Sequence, residues 1–313
     1  MGKVIVTENL TKEYRTGFKM QKIRAIENLN LEVEAREIFG FLGPNGAGKT
    51  TTIKILVGLA QPTSGKATVL GKPCTDVEIK RQIGYLPESP YFYEYLNPVE
   101  YLKLCAQLSG LPSDDHAKQI TKLLKLVRLD AFEKMKIRGF SRGMLQRLGI
   151  AQALIHDPEL VILDEPMGGL DPIGRREFRD IILNLKTQGK TVFFSTHILA
   201  DVEMICDRVG ILLNGKLINI GRLDEILGAE IETFEIVIKN IDRKMVKVLE
   251  RLSDKVIPSE DKVLIEVKTE EEVERIMAIV REVNAKLISL LPRRKTLEDH
   301  FMREIQKERL KEI

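Results

Sequence analysis

The run Gly43-Pro44-Asn45-Gly46-Ala47-Gly48-Lys49-Thr50 satisfies the spacing G-x-x-x-x-G-K-[ST]. Glycines so placed let successive backbone N–H groups converge on phosphate oxygens, and a helix opening behind them adds a favourable dipole. Lys49 is positioned to reach the β- and γ-phosphates, Thr50 to ligate Mg²⁺ through its hydroxyl, and Thr51 to continue the nucleotide-binding stretch. A second group follows at Leu160-Val161-Ile162-Leu163-Asp164-Glu165-Pro166, where an apolar strand ends in two acids. Carboxylates there stand at the edge of an open α/β sheet where ligands bind. Asp164 is expected in the Mg²⁺ shell, and Glu165 is expected to orient and deprotonate an attacking water. Ser195-Thr196-His197 closes another apolar strand and brings a histidine to the same kind of position.

These groups need elements to hold them. Ile38 to Leu42 is an apolar strand before the phosphate loop, and Ile53, Leu56 and Val57 recur behind it at helical spacing. Short β-like runs (Val4 to Val6, Leu29 to Val33, Ala67 to Leu70) alternate with turn signals such as Gln61-Pro62-Thr63-Ser64-Gly65. From about 88 to 135 the pattern turns helical, with stripes at Tyr101-Leu102 and Leu104-Cys105 and at Ile120, Leu123, Leu124 and Val127. Leu160 to Leu163 and Thr191 to Phe194 lack a polar alternate face, as parallel strands covered on both sides do. The expected fold is α/β: one nucleotide-binding domain over residues 1–228, with a helical subdomain inserted at about 88–158.

Residues 229–313 suggest a small α+β accessory domain of β-α-β-β-α-β order, ferredoxin-like, with the strand near Lys255 to Ile257 the weakest. Thr269 and Glu272 make a capping box ahead of Val273, Ile276, Met277 and Val280.

Across 313 residues, 49 Lys and Arg offset 46 Asp and Glu to a net charge of +3, which gives no reason to expect nucleic acid as a partner. The 30% of charged residues and the absence of Trp hint weakly at a heat-adapted source. The 3 cysteines, Cys74, Cys105 and Cys206, are scattered without a C-x-x-C and suit a reducing cytosol better than a disulfide or metal framework. No apolar run reaches the roughly 18 residues that cross a bilayer. Membrane work is expected of a partner.

Between the phosphate loop and the acids lies Phe140-Ser141-Arg142-Gly143-Met144-Leu145-Gln146-Arg147. The order of motifs resembles the ATP-binding subunit of an ABC transporter, whose signature reads L-S-G-G-Q; Ser141 and Gly143 match it, while Arg142 and Met144 depart. The resemblance implies a P-loop NTPase fold of the ABC type, with ATP and Mg²⁺ as ligands. It further implies that Ser141 and Gly143 face the γ-phosphate held by a second subunit, and that Gly169-Leu170-Asp171-Pro172 forms the loop communicating across that dimer. His197 becomes the residue contacting the γ-phosphate, and Tyr14 the aromatic stacking on adenine, although Thr16 to Arg24 makes a longer loop than the family's. Glu88, in Gly84-Tyr85-Leu86-Pro87-Glu88, stands where the family has Gln and could contact Mg²⁺.

The Leu86-Pro87-Glu88 variant, the signature variant and the tail Leu297-Glu298-Asp299-His300-Phe301 resemble single-cassette ATPases of exporters. Their membrane permease is a separate polypeptide. Such a subunit is a homodimer or pairs with another ATPase, and sits on the cytoplasmic face of the membrane through the permease. A soluble ABC-type ATPase acting on ribosomes or DNA usually has two cassettes or a coiled-coil insertion, which this chain lacks. A regulatory module without turnover would not need both Glu165 and His197.

Overall fold

A computed structural model describes residues 2–16, 21–227, 231–253, 255–259, 261–294, 296–299, 301–302 and 306. Lys295, His300 and the boundary expected after residue 228 lie outside them. The chain divides into two compact units, Met1–Leu223 and Asp224–Ile313.

The first unit begins with β1 (Lys3–Thr16) and β2 (Gln21–Glu34), a long antiparallel pair, so Gln21 to Arg24 are strand where the sequence suggested loop. Then come β3 (Ile38–Leu42), α1 (Lys49–Leu56), β4 (Ser64–Val69), β5 (Lys72–Pro73) and β6 (Ile83–Leu86). The helical stretch supplies α2 (Pro98–Leu108), α3 (Ser113–Leu126) and α4 (Arg142–Ala153). After it run β7 (Leu160–Leu163), α5 (Pro172–Thr187), β8 (Thr191–Thr196), α6 (Leu199–Ile205), β9 (Arg208–Leu213) and β10 (Lys216–Arg222).

A central sheet of order β10-β9-β3-β8-β7-β6 is parallel from β9 to β6, with β10 an antiparallel edge. A second, antiparallel sheet has the order β2-β1-β4-β5. β3, β7 and β8 are buried along their whole length. Alternate side chains divide between two cores. Ile38, Val161, Leu163, Val192 and Phe194 pack with the helices, while Phe39, Phe41, Leu160, Ile162 and Phe193 pack with the antiparallel sheet. Phe39 stacks on Phe193 with ring centroids 5.6 Å apart. Each such ring contributes about 1.5–3 kcal/mol by burial. This two-sided burial explains why these strands carry no polar face.

Because neighbouring strands run parallel, their carboxyl ends share one edge. Side by side along β3, β8, β7 and β6, that edge carries the phosphate loop, Ser195 to His197, Asp164 with Glu165, and the loop reaching Glu88.

The second unit holds β11 (Ile231–Lys239), α8 (Arg243–Leu252), β12 (Lys255–Pro258), β13 (Lys262–Val267), α9 (Glu270–Glu282) and β14 (Lys286–Arg294); α7 (Leu223–Leu227) spans its start. Its antiparallel sheet runs β12-β13-β11-β14, the order of a split β-α-β-β-α-β motif. The capping box at α9 forms as the sequence suggests: Glu272 N–H donates to Thr269 Oγ1 and Glu272 accepts from the Thr269 N–H. Among the described residues no helix is long and apolar enough to cross a membrane.

Candidate active site

The phosphate loop is shaped by close approaches that leave no room for side chains. A Cβ on Gly43 would lie 2.4 Å from the Leu212 carbonyl oxygen, and one on Gly48 would lie 2.4 Å from that of Ala25. Gly48 also has φ 108°, which L-residues rarely adopt, and it stands directly before α1. No acid and no capping side chain occupies the first turn of α1. Its N–H groups and dipole remain available for an anion.

Lys49 is buried, and its Nζ donates to the Gly43 and Pro44 carbonyls at 2.7 and 3.1 Å. The same nitrogen stands 3.0 Å from Glu165 Oε1, an ion pair without an aligned hydrogen bond. The other oxygen of Glu165 accepts from His197 Nδ1 at 2.8 Å, which fixes the proton on Nδ1. Glu165 is itself backbone-strained, with φ 47°. Its N–H donates to Ser195 Oγ at 2.9 Å, and Ser195 in turn donates to Asp164 Oδ1 at 2.6 Å. Thr50 Oγ1 donates to that same Asp164 oxygen at 3.2 Å. Asp164 Oδ2 is buried with no partner. A buried carboxylate oxygen left unpaired costs free energy, and beside a hydroxyl it is where a hard cation fits.

Among the described residues no cluster of three or more His, Cys, Asp or Glu could enclose a metal alone. Mg²⁺ takes one or two carboxylates plus phosphate oxygens and water, and the free Oδ2 of Asp164 is one such carboxylate donor. Burial, and then the Asp164 charge, push the Tyr85 phenol up to about 12, so it adds no negative charge there.

A cleft of about 370 Å³ opens over these groups, lined by Ala25, Asn45, Gly46, the run Gly48 to Thr51, Glu88 and Glu165. Ala47, within the loop, is buried and does not line the cleft. Glu88 shares no hydrogen bond with Thr50 or Asp164 among the described residues. Tyr14 does not line the cleft; it is 38% exposed on the hairpin that carries Ala25, with the Lys12 ammonium 5.1 Å from its ring centre. Ser141 and Gly143 are not brought to this cleft. They line a separate cavity of about 350 Å³ with Arg142, Gly169 and Asp171. Ser141 caps α4 by accepting from Met144 N–H at 3.3 Å, and Asp171 caps α5 by accepting from Gly174 N–H at 2.6 Å. Sequence reasoning overlooked Ser195 as a structural partner of the acids; its signal was a hydroxyl in an otherwise apolar, buried strand.

A family model described as ABC transporter matches residues 26–168. An uncharacterised ABC transporter ATP-binding protein of Nostoc sp. (strain PCC 7120) is 46% identical over 308 residues, which is 97% of this chain and 90% of that protein. The chain belongs to the ABC transporter ATP-binding proteins. The bacitracin transport ATP-binding protein of Bacillus licheniformis is 45% identical over 222 residues, covering 70% of this chain and 69% of that one. Among solved structures, a dimeric post-hydrolysis state of the ATP-binding cassette MJ0796 bound to ADP and Pi matches with TM-score 0.64 at 26% identity. It spans 70% of this chain and 98% of the cassette. The matched part therefore has the fold of an ABC ATPase cassette, and the chain is an ATP-binding subunit of the ABC ATPase family.

Proposed function

We propose that this chain is the Mg²⁺-dependent ATPase motor of an ABC exporter, peripheral on the cytoplasmic face of the membrane through a separate permease. The observation that carries the reading is the hydrogen-bonded chain Thr50–Asp164–Ser195–Glu165–His197, with Lys49 paired to Glu165, of which Thr50, Glu165 and Lys49 line one cleft. The phosphate-loop residues Gly43 to Thr51 bind the phosphates, with Lys49 exchanging its loop carbonyls for phosphate oxygens, and Tyr14 offers a face to adenine. Thr50 and the free Oδ2 of Asp164 hold Mg²⁺, with Glu88 facing the same cleft. Bound there, the ion offsets charge developing on the phosphoryl oxygens. Glu165 takes a proton from the attacking water as its oxygen bonds the γ-phosphorus and the β–γ bridge breaks. His197 orients that carboxylate.

Ser141 and Gly143 open onto a different cavity, which fits a head-to-tail pair in which they meet the γ-phosphate of the other copy. ATP favours the closed pair by bridging both halves; hydrolysis removes the bridge and the pair opens. The pair is of identical chains or of this chain with a related one. The resemblance to exporter cassettes and the bacitracin-transport relative support the outward direction. The chemistry is assigned to residues 1–228 and an accessory role to 229–313.

Glu165→Gln tests the assignment. The variant should lose nearly all hydrolysis while an ATP-bound pair persists in size-exclusion chromatography. Undiminished turnover would remove Glu165 from the role of base.

A further inference from the structure

Gln146 is 3% exposed, in the second turn of α4, and uses only half of its amide. Its Nε2 donates to the backbone carbonyl of Glu88 at 3.3 Å, while its Oε1 is buried with no partner. The orientation of the amide follows from that contact, since a carbonyl accepts only from the NH₂ end. One turn further along, a Cβ on Gly149 would lie 2.5 Å from Leu86 Cδ1 and 3.7 Å from both Pro90 and Phe92. At the end of the same face the Ala153 carbonyl oxygen lies 2.3 Å from where a Cβ on Gly84 would stand. At Gly149 the helix presents bare backbone on which Leu86, Pro90 and Phe92 pack, and at Gly84 the β6 backbone itself approaches the Ala153 carbonyl.

Glu88 lines the nucleotide cleft, and Ser141 at the N-terminus of this helix lines the other cavity. We infer that Gln146 is a positioning residue that ties the backbone at Glu88 to α4, so that a shift of Glu88 against bound nucleotide moves Ser141 and Gly143. The unpaired Oε1 is an acceptor held in reserve. In the shifted state a backbone N–H of the loop after Glu88 donates to it, and the amide then grips the loop at both ends. A buried acceptor without a donor is costly, so gaining one favours the arrangement in which Glu88 has shifted. The inference rests on the reading that Glu88 meets nucleotide and that Ser141 and Gly143 serve a second copy.

The test uses the full-length chain with Gln146→Glu, which keeps size but loses the donor, and Gln146→Met, which loses both polar ends. Three quantities are measured for each: ATP affinity by calorimetry, kcat, and the ATP-dependent pair in a Glu165→Gln background. Loss of a single coupling hydrogen bond predicts about a tenfold fall in kcat. Pairing at a given ATP concentration should weaken in parallel, with ATP affinity within about twofold; in Gln146→Met the melting temperature should be nearly unchanged, while Gln146→Glu, which buries a carboxyl against a carbonyl oxygen, should melt lower. Unchanged kcat and pairing would overturn the inference. A fall in kcat matched by equal loss of ATP affinity and of thermal stability would also overturn it, because Gln146 would then be packing alone. If the parent chain itself neither bound ATP nor paired, the wider reading would fail instead, which the same measurements distinguish.

Discussion

Replacing Ser195 with Ala removes one hydroxyl and breaks two contacts that hold both acids. Ser195 is fully buried, accepts from the Glu165 N–H at 2.9 Å and donates to Asp164 Oδ1 at 2.6 Å. The Glu165 N–H would be left buried and unpaired, at about 1–3 kcal/mol. Asp164 Oδ1 keeps Thr50 at 3.2 Å, so its share is smaller, about 1 kcal/mol. The sum of about 2–4 kcal/mol corresponds to roughly 5–15 °C in melting temperature for a unit of this size. Glu165 holds φ 47°, and without the N–H anchor its carboxylate is no longer fixed against His197. Misplacement of a base by a fraction of an ångström lowers kcat by about tenfold or more. ATP affinity should change far less, because Lys49 and the phosphate loop make no hydrogen bond to Ser195. Thermal unfolding, calorimetric ATP binding and steady-state hydrolysis read the three quantities. A variant that melts within 1 °C of the parent and turns over within twofold of it would refute the account of Ser195 as the joint between the two acids.

Burial lowers the pKa of His156 from its ordinary 6.5, against the opposing hydrogen bond to the Ile83 carbonyl, and its Nδ1 is buried without a partner. The unfolded chain therefore binds this proton more readily, and stability should fall as pH drops below 6.5 toward the lower folded value; in His156→Gln the difference in melting temperature between pH 7.5 and 5.5 should shrink, and an unchanged difference would discount the burial. Gly43→Ala would place a methyl 2.4 Å from the Leu212 carbonyl oxygen, which backbone cannot yield without moving the loop. A cost of about 1–3 kcal/mol in stability and a weakening of ATP binding by roughly tenfold or more follow at 1.4 kcal/mol per decade, read by unfolding and calorimetry; affinity equal to the parent's would mean that the loop has slack there.

The candidate groups could be picked out in the sequence because they lie in contiguous residues. A phosphate loop is one turn of backbone, so its spacing survives in the sequence, and Asp164 with Glu165 mark a strand end because burial on both faces made β7 uniformly apolar. The capping box at Thr269 and the weak strand near Lys255 were readable for the same local reason. The sequence also carried Ser141, Gly143 and Asp171 as a pattern, but what Ser141 and Asp171 do within one chain, capping α4 and α5, is a matter of backbone geometry.

Tertiary structure decided the rest. β9 and β10 went unread although Asn214-Gly215, both at positive φ, joins them as a two-residue hairpin, which is a local signal; the place of β9 beside β3 depended on a partner far along the chain, and the β1–β2 pairing extended through Gln21 to Arg24, which looked like loop. Ser195 became the bridge between two acids only because β7 and β8 lie side by side and parallel, which brings residues 31 apart in sequence within 2.6 Å. Gln146 met Glu88, 58 residues away, only because Gly84 and Gly149 let α4 settle against β6. Residue types and short spacings specify which groups can do chemistry. Their distances follow from how the sheet is ordered and how closely backbones approach, and both are properties of the whole packed unit.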